Sequence, residues 1–295
     1  MAGTGEPVAV LGIGAMGHGM AVSSLRAGLP TIVWNRSVEA TRDLAELGAE
    51  VAETAADAAR RAGIVVTIVT DANAVLSIAR DHGMLAALAP NAIWAQMSTI
   101  GVAGIERVAA MAGSQRPDVA FFDAPVSGSK DPAEHGQLTI FASGPDQARS
   151  RVSPLFDALS QRTIWVGPAG AGTRLKLVNN TWLAFATEAV AVSTAAARQL
   201  GLETETVLDA LDGSPLAAPW QAAKLQRIAK GEYSAQFSLS LALKDVHLAL
   251  EAVGGDRFAV LACLADEWQQ AVDEGLGEED LTVVTRALEH PGGTR

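Results

Sequence analysis

Two patterns of hydrophobic and polar residues follow one another along the chain. Up to Gly167, short apolar runs alternate with longer segments in which apolar residues recur at helical spacing. The runs are "VAVLGIG", "TIVWNR", "IVVTIVT", "NAIWAQMST", "VAFFDAPVSG", "QLTIFASG" and "RTIWVG". Such runs are typical of strands that are buried on both faces. The alternation predicts a mostly parallel sheet covered by helices on both faces.

The pattern changes after Gly167. A segment without Gly or Pro extends from Thr173 to about Gly201 and predicts one long helix. The segments that follow also have helical periodicity and end at Gly or Pro. We therefore predict two domains, residues 1–167 with strands and helices and residues 168–295 with helices alone, joined by the long helix.

The composition narrows the class of protein. Of the 295 residues, 49% are hydrophobic and 19% are charged, which suffices for a sizeable core. The net charge of −11 argues against a general nucleic-acid-binding protein, because such a protein needs a basic surface. No targeting segment and no uncharged apolar run of about 20 residues is found, so we expect a cytoplasmic protein that does not enter a membrane. Cys263 is the only cysteine, and its apolar surroundings predict a buried core thiol.

A glycine motif follows the first apolar run. Gly12, Gly14 and Gly17 are spaced G-x-G-x-x-G between a predicted strand and a predicted helix. The first glycine permits a tight turn, the second lets the backbone approach a pyrophosphate, and the third lets helix and strand pack closely. We therefore predict a Rossmann dinucleotide-binding domain whose phosphates lie at the helix N-terminus. The predicted contacts are Gly12, Ile13, Gly14, Ala15, Met16 and Gly17. The alternative is a glycine-rich turn that packs within the fold and binds no dinucleotide.

The end of the second strand indicates which dinucleotide binds. An NAD site usually has Asp or Glu here, bonded to the ribose 2′-hydroxyl. This chain has Asn35, Arg36 and Ser37 instead. Because Arg36 can pair with a 2′-phosphate and stack on adenine, and Ser37 adds a hydrogen-bond donor, we predict NADP(H) rather than NAD(H). The alternative is that Arg36 is a solvated surface residue.

A lysine and an asparagine lie one turn apart at the start of the long helix. In "GAGTRLKLVNN", Lys176 and Asn180 are spaced i, i+4 and share a helix face. The helix dipole and partial burial both lower the pKa of a lysine there, which suits it to exchange a proton with an alcohol or alkoxide. Asn180 would hold the substrate oxygen or orient the amine. The alternative is a lysine that extends to solvent.

Four stretches together resemble the β-hydroxyacid dehydrogenase family. They are "GIGAMGHGMA", "DAPVSGS", "GAGTRLKLVNN" and "KDVHLAL", and with them the resemblance covers nearly the whole chain. "SGSKDPAEHGQL" and "WNRS" are similar to the NADPH-using glyoxylate/succinic semialdehyde reductase branch. The resemblance implies an active site between the two domains and hydride transfer between a nicotinamide and a small carboxylate-bearing carbonyl or hydroxyacid.

The resemblance also implies roles for single residues. Ser127 holds the substrate carboxylate, with Gly128 and Ser129 beside it, and Phe237 lies near the substrate. Lys176 is the general acid/base and Asn180 supports it. The further implied cofactor contacts are Val69, Thr70, Asp71, Ser98, Thr99, Lys244 and Asp245. Where the family often has Leu-Pro-Asp, this chain has Val69, Thr70 and Asp71, so contact there depends on the backbone.

Two other functions share this pattern. One is an imine reductase, and the other is a catalytically silent NADP-binding protein of the same fold. Lys176 counts against both, because such relatives usually lack the lysine. The histidines His18, His82, His135, His247 and His290 have no metal-ligand spacing, so we predict no metal. The apolar helix faces predict a homodimer or homotetramer.

Overall fold

The chain forms two compact units, Met1–Lys176 and Leu177–Arg295. The computed structural model describes residues 5–211 and 213–289, without the side chain of residue 256. The strands of the first unit are β1 (Val8–Leu11), β2 (Thr31–Trp34), β3 (Glu50–Val51), β4 (Ile64–Thr67), β5 (Ile93–Gln96), β6 (Ala120–Asp123), β7 (Val126–Ser127), β8 (Leu138–Ala142) and β9 (Ser160–Trp165). Its helices are α1 (Ala15–Arg26), α2 (Arg42–Glu46), α3 (Ala55–Arg61), α4 (Ala72–Arg80), α5 (Met84–Ala87), α6 (Gly101–Gln115), α7 (Lys130–Glu134) and α8 (Arg149–Leu159).

The main sheet has six parallel strands in the order β3-β2-β1-β4-β5-β6. Strands β1, β2, β4 and β5 are buried at every position, because helices cover both faces. Their apolar side chains divide between two buried clusters, one on each side of the sheet. The order reverses between β1 and β4, which in sheets of this kind is the point where a dinucleotide binds. The predicted α/β fold, a mostly parallel sheet of the Rossmann type covered by helices on both faces, is confirmed.

The last strands form a second sheet, which the pattern of apolar runs does not predict. β7 pairs antiparallel with β8, and β8 pairs parallel with β9. The run "VAFFDAPVSG" was expected to be one strand, and that expectation is wrong. It divides into β6 and β7 because Pro125 has no N–H to continue a ladder, although its carbonyl accepts a bond from the N–H of Phe141. One bridge, between Asp123 and Ser143, connects the two sheets.

The second unit is built from helices. Helix α9 (Ala171–Gln199) begins in the first unit and continues into the second. The helices that follow are α10 (Thr204–Leu211), α11 (Pro219–Ala229), α12 (Leu239–Val253), α13 (Ala259–Ala271) and α14 (Val284–Glu289). In the described part of this unit the regular elements are all helical, which confirms the predicted helical C-terminal region.

The environment of the single cysteine differs from the expectation. Cys263 is exposed, so the predicted core thiol is wrong. Helix α13 buries Leu261, Leu264 and Trp268, and position 263 falls on the opposite face. Within residues 5–211 and 213–289, no helix is both long enough and apolar enough to span a membrane.

Candidate active site

The three glycines of the first loop have three different environments. Gly12 has a φ of +103°, and a Cβ there would overlap the carbonyl oxygen of Ile68. A Cβ on Gly17 would overlap the carbonyl oxygen of Gly12. Gly14 is exposed, and apart from Gly14 itself and its neighbours in the chain, no described heavy atom lies within 4 Å of where its Cβ would be. Gly12 and Gly17 are therefore required by packing, whereas Gly14 leaves open a space beside the loop.

That space lies at the N-terminus of α1. Gly14 occupies the N-cap position, and the first turn of α1, described in full, has neither a side-chain cap nor an acidic residue. The N–H groups of the turn and the positive end of the helix dipole therefore face the open side of Gly14. These residues fit the pyrophosphate of a dinucleotide. A Cβ at position 14 would occupy the space that it needs, and a carboxylate in the first turn would repel it.

The end of β2 adjoins this loop. Asn35 Oδ1 accepts a hydrogen bond from the N–H of Ile13 at 3.0 Å and thus fixes the glycine loop. Arg36 is exposed. The hydroxyl of Ser37 donates to Glu39 Oε2 at 2.6 Å, and this bond is the main reason why the pKa of Glu39 is lowered. The Ser37 hydroxyl was predicted to donate to a 2′-phosphate. In this structure it already donates its hydrogen to Glu39.

The ends of β4 and β5 are tied together by Ser98. Its buried hydroxyl accepts a hydrogen bond from the N–H of Val69 at 2.8 Å. The buried amide of Gln96 bonds to both the N–H and the carbonyl of Ser98, at 2.7 and 2.9 Å. Asp71 caps α4 by accepting the N–H of Ala74 at 2.9 Å. Ser98 thus supports the segment at Val69, while Thr99 is half-buried beside it.

The segment predicted to bind the substrate carboxylate follows β6. Ser127 is half-buried in β7, where it pairs with Thr139 of β8. Gly128 has a φ of +134°, and a Cβ there would lie 2.7 Å from the side chain of Leu138. Ser129 is the N-cap residue of α7. The turn after Ser127 therefore requires glycine at position 128 and directs the chain into a helix N-terminus.

Helix α9 carries the predicted lysine. Lys176 is 8% exposed and Asn180 is 4% exposed, so both side chains are buried. Asp123 at the end of β6 accepts hydrogen bonds from the N–H groups of Gly170 and Thr173, at 3.1 and 2.8 Å. It also accepts the Thr173 hydroxyl at 2.7 Å. The helix is therefore capped by a carboxylate distant in sequence.

In the second unit, Asn180 belongs to a polar cluster. Its Nδ2 donates to Asp245 Oδ2 at 2.5 Å, and its Oδ1 accepts from Asn179 at 3.1 Å. The Lys244 ammonium lies 3.0 Å from Asp245 Oδ1. Lys244 and Asp245 both belong to α12, so the cluster joins α9 to α12 and fixes the orientation of the Asn180 amide.

A buried ion pair holds the segment that carries Phe237. Lys224 Nζ lies 2.9 Å from both carboxylate oxygens of Asp280. The N–H groups of Gln236 and Phe237 donate to Asp280 Oδ2 at 3.1 and 3.4 Å. Burial alone would raise the pKa of Asp280, but Lys224 and the Thr282 hydroxyl outweigh it and the pKa is lowered.

The four histidines that the structure describes belong to no metal-ligand cluster. Among the described residues, no three His, Cys, Asp or Glu side chains are grouped so that they could hold a metal ion. His18 Nε2 lies 2.5 Å from Asp43, and this bond is the main reason why the pKa of Asp43 is lowered. His290 lies outside the described residues.

Comparison with known proteins shows the family of the chain. Residues 7–167 match the family model described as the NAD binding domain of 6-phosphogluconate dehydrogenase. Residues 170–288 match the model for the NAD-binding of NADP-dependent 3-hydroxyisobutyrate dehydrogenase. Glyoxylate/succinic semialdehyde reductase 1 of Arabidopsis thaliana is 32% identical over 95% of this chain and 98% of its own. The chain belongs to the β-hydroxyacid dehydrogenase family. The resemblance that the four motifs indicated is confirmed.

Two other members extend the comparison of this β-hydroxyacid dehydrogenase. NAD-dependent L-serine dehydrogenase of Pseudomonas aeruginosa is 29% identical over 98% of this chain and 99% of its own. The structure of 3-hydroxyisobutyrate dehydrogenase from Mycobacterium tuberculosis with L-serine has a TM-score of 0.85 at 27% identity, covering 97% of this chain and 99% of that one. The protein is an NAD(P)-dependent dehydrogenase that acts on hydroxyacids.

Some residues that build this β-hydroxyacid dehydrogenase were missed in the sequence. Asp123 lies inside the quoted "DAPVSGS", and a carboxylate directly after an apolar strand was the available signal. Gln96 likewise ends an apolar strand. The pair of Lys224 and Asp280 is separated by 56 residues, so no local spacing could reveal it.

Proposed function

We propose that the dehydrogenase interconverts a small carboxylate-bearing aldehyde or ketone and its hydroxyacid with NADP(H), and that Lys176 is the general acid/base. The observation that carries this proposal is the burial of the Lys176 side chain on a helix whose start is capped by Asp123. A buried ammonium is a better proton donor than a solvated one, because burial disfavours its charged form. Glyoxylate, succinic semialdehyde and 3-hydroxyisobutyrate represent the substrate class.

In this proposal the substrate carboxylate and the reacting oxygen are bound by different residues. Ser127 Oγ and the N–H groups of Gly128 and Ser129 bind the carboxylate. Lys176 Nζ donates a proton to the carbonyl oxygen during reduction and takes it from the hydroxyl during oxidation. Asn180 Oδ1 keeps one lone pair beyond its bond from Asn179, and we assign that lone pair to Lys176. NADP(H) supplies or accepts the hydride when it is bound.

The cofactor would be held by the glycine loop and the strand ends that follow it. The loop from Gly12 to Gly17 would bind the pyrophosphate, and Arg36 would pair with the 2′-phosphate. The remaining proposed contacts are Asn35, Ser37, Val69, Thr70, Asp71, Ser98, Thr99, Lys244 and Asp245. Phe237 would limit the substrate. The preference for NADP(H) over NAD(H) is tested by the dissociation constants of both, and tighter NADH binding would contradict it.

The decisive experiment replaces the lysine. We expect Lys176→Ala to lower kcat by about 10²-fold or more, because it removes the general acid. The variant should still bind NADPH, as measured by the fluorescence of the dinucleotide. The control is Lys230→Ala, which removes an exposed lysine at the end of α11. Near-normal turnover by Lys176→Ala would reject the proposed role.

A substrate panel separates this proposal from the other two functions. NADPH oxidation is measured with glyoxylate, succinic semialdehyde, tartronate semialdehyde and a cyclic imine. Turnover of the carboxylate-bearing aldehydes supports the proposal. Turnover of the imine alone would identify an imine reductase, and NADPH binding without turnover would identify a silent dinucleotide-binding protein.

A further inference from the structure

The carboxylate of Asp123 joins two segments to which the proposed function gives different tasks. Asp123 is the last residue of β6 and is fully buried. Ser127 follows it by four residues on the same segment. On the other side, Thr173 donates both its N–H and its hydroxyl to this carboxylate, and Lys176 follows Thr173 by three residues on α9. One side chain thus connects the carboxylate-binding segment to the helix that carries the lysine.

A second contact fixes the helix start in the same place. Ser143 Oγ accepts the N–H of Gly172 at 3.0 Å and donates to the carbonyl oxygen of Asp123 at 2.9 Å. A Cβ on Gly172 would overlap the carbonyl oxygen of Phe141 and come within 2.7 Å of that of Asp123. The first turn of α9 is therefore in direct contact with the ends of β6 and β8, and it has no room to shift toward them.

The origin of this cap distinguishes it from ordinary helix capping. An N-cap residue usually precedes its helix directly, as Thr54 does for α3 by accepting the N–H of Asp57. The carboxylate that caps α9 lies 50 residues before Thr173. Burying a carboxylate is costly, and burial raises the pKa of Asp123 although Thr173, Ser143 and Gly170 oppose that effect. A local cap would secure the helix without coupling it to another segment.

The coupling reaches the lysine through rigid geometry. Residues three apart on a helix lie on the same side and about 4.5 Å apart along the axis. A displacement of Thr173 is therefore passed to Lys176 almost unchanged. A misplacement of a reacting group by about 1 Å can lower a rate by about 10²-fold.

We infer that Asp123 is a positioning residue that, through Gly170 and Thr173, holds Lys176 Nζ at a fixed place relative to Ser127. This inference rests on the proposed function, because it assigns Asp123 an effect on turnover that acts through Lys176. A purely structural Asp123 would affect stability and turnover regardless of which residue stands at position 176.

The test is a double-mutant cycle of Asp123→Ala and Lys176→Ala. We expect Asp123→Ala alone to lower kcat by about 10-fold to 100-fold, with the NADPH dissociation constant changed less than about twofold. With Lys176 already replaced, it should lower the remaining rate by less than about twofold, since the group it positions is gone. That remaining rate, about 10⁻² to 10⁻⁴ of normal, is measurable at high enzyme concentration.

Further variants keep the test valid if Asp123→Ala does not fold. Asp123→Asn retains an oxygen for the two N–H groups, so it should recover most of kcat. Thr173→Val removes only the 2.7 Å bond from the hydroxyl and keeps the side-chain shape, so it replaces Asp123→Ala in the cycle. Thr54→Ala removes the matched cap of α3; it should lower the melting temperature but leave kcat unchanged.

The outcomes separate this inference from the proposed function. If Lys176→Ala is nearly inactive but the two substitutions multiply, the inference is overturned while the proposed function stands. A kcat that follows the melting temperature in all variants, Thr54→Ala included, also overturns it. Near-normal turnover by Lys176→Ala overturns both.

Discussion

At the scale of single residues, the three glycines of one loop have different roles. Gly12 and Gly17 are enclosed by backbone, and a Cβ at either position would meet a carbonyl oxygen. Gly14 has ordinary dihedral angles, φ −88° and ψ −170°, and open space beside it. The first pair thus maintains the fold of the loop, whereas Gly14 keeps a space open in which a ligand can lie.

This difference gives a prediction for two alanine variants. Gly14→Ala should keep the melting temperature of the parent but weaken NADPH binding by about tenfold or more, because the Cβ would stand where the pyrophosphate approaches. Gly17→Ala should instead lower the melting temperature by several degrees, because the loop must move. Fluorescence titration and thermal unfolding measure the two effects. Equal NADPH affinity in Gly14→Ala and the parent would contradict the assignment.

Glu39 was missed in the sequence, and it gives a second prediction. It accepts the hydroxyl of Ser37, the residue that follows Arg36 in the chain, and a carboxylate with a lowered pKa is negatively charged at neutral pH. Glu39→Gln should therefore tighten NADPH binding about twofold to fivefold at low salt and leave NADH binding unchanged, as expected for an exposed charge. Glu46→Gln, an exposed residue at the end of α2, is the control. An equal change for both dinucleotides would show that the 2′-phosphate is not near Glu39.

At the scale of elements, the sequence predicted what depends on periodicity and failed where tertiary contacts decide. The parallel strands, the glycine turn and the long helix follow from local patterns. The division of one predicted strand into β6 and β7 depends on Pro125 and on pairing with β8, which lies further along the chain. Cys263 lies in an apolar helix, but the contacts of α13 determine which face is buried.

A hydrogen bond between α9 and α13 gives a prediction about pH. Glu188 of α9 accepts a hydrogen bond from Trp268 Nε1 at 2.9 Å, and burial, together with Glu267, raises its pKa to about 7. In the unfolded chain the pKa of Glu is about 4.3. Between these two pKa values, Glu188 is protonated in the folded protein but ionised in the unfolded chain. The contribution of Glu188 to stability is therefore complete below about pH 4.3, and it is lost as the pH rises through about 7.

Glu188→Gln should remove this dependence, because an amide resembles the protonated acid. Melting temperatures are measured from pH 5.5 to pH 8 for the parent, for Glu188→Gln and for the exposed control Glu251→Gln. The parent and the control should lose stability with rising pH relative to Glu188→Gln. The slope of the unfolding free energy against pH should differ by at most the value for one bound proton. Parallel curves for all three would refute the raised pKa.

At the scale of the whole molecule, apolar side chains remain exposed on one face of α9. Val178, Trp182, Phe185 and Val192 recur at spacings of four, three and seven residues, and Trp182 is 80% exposed. Exposed apolar patches of this kind mark protein–protein contacts. They support the prediction, made from sequence, of a homodimer or homotetramer.

Light scattering after size exclusion tests this prediction. The parent should elute as a dimer or tetramer, and Trp182→Glu should shift it toward smaller species, because a buried unpaired charge opposes association. Leu216→Glu is the matched control, since Leu216 is 82% exposed but lies outside α9. A monomeric parent at all concentrations, or an equal shift in both variants, would count against a contact through α9.

The two ends of the main sheet bear on how the protein behaves at high concentration. An open sheet edge can recruit another chain through its unpaired backbone groups and so begin an aggregate. Here β3 is only two residues long, and Glu50 within it is paired with Arg61. At the opposite end, the bridge from Asp123 to Ser143 occupies part of β6. Lengthening β3 or making it apolar would thus create an exposed sheet edge that pairs with other chains, which the native sequence avoids.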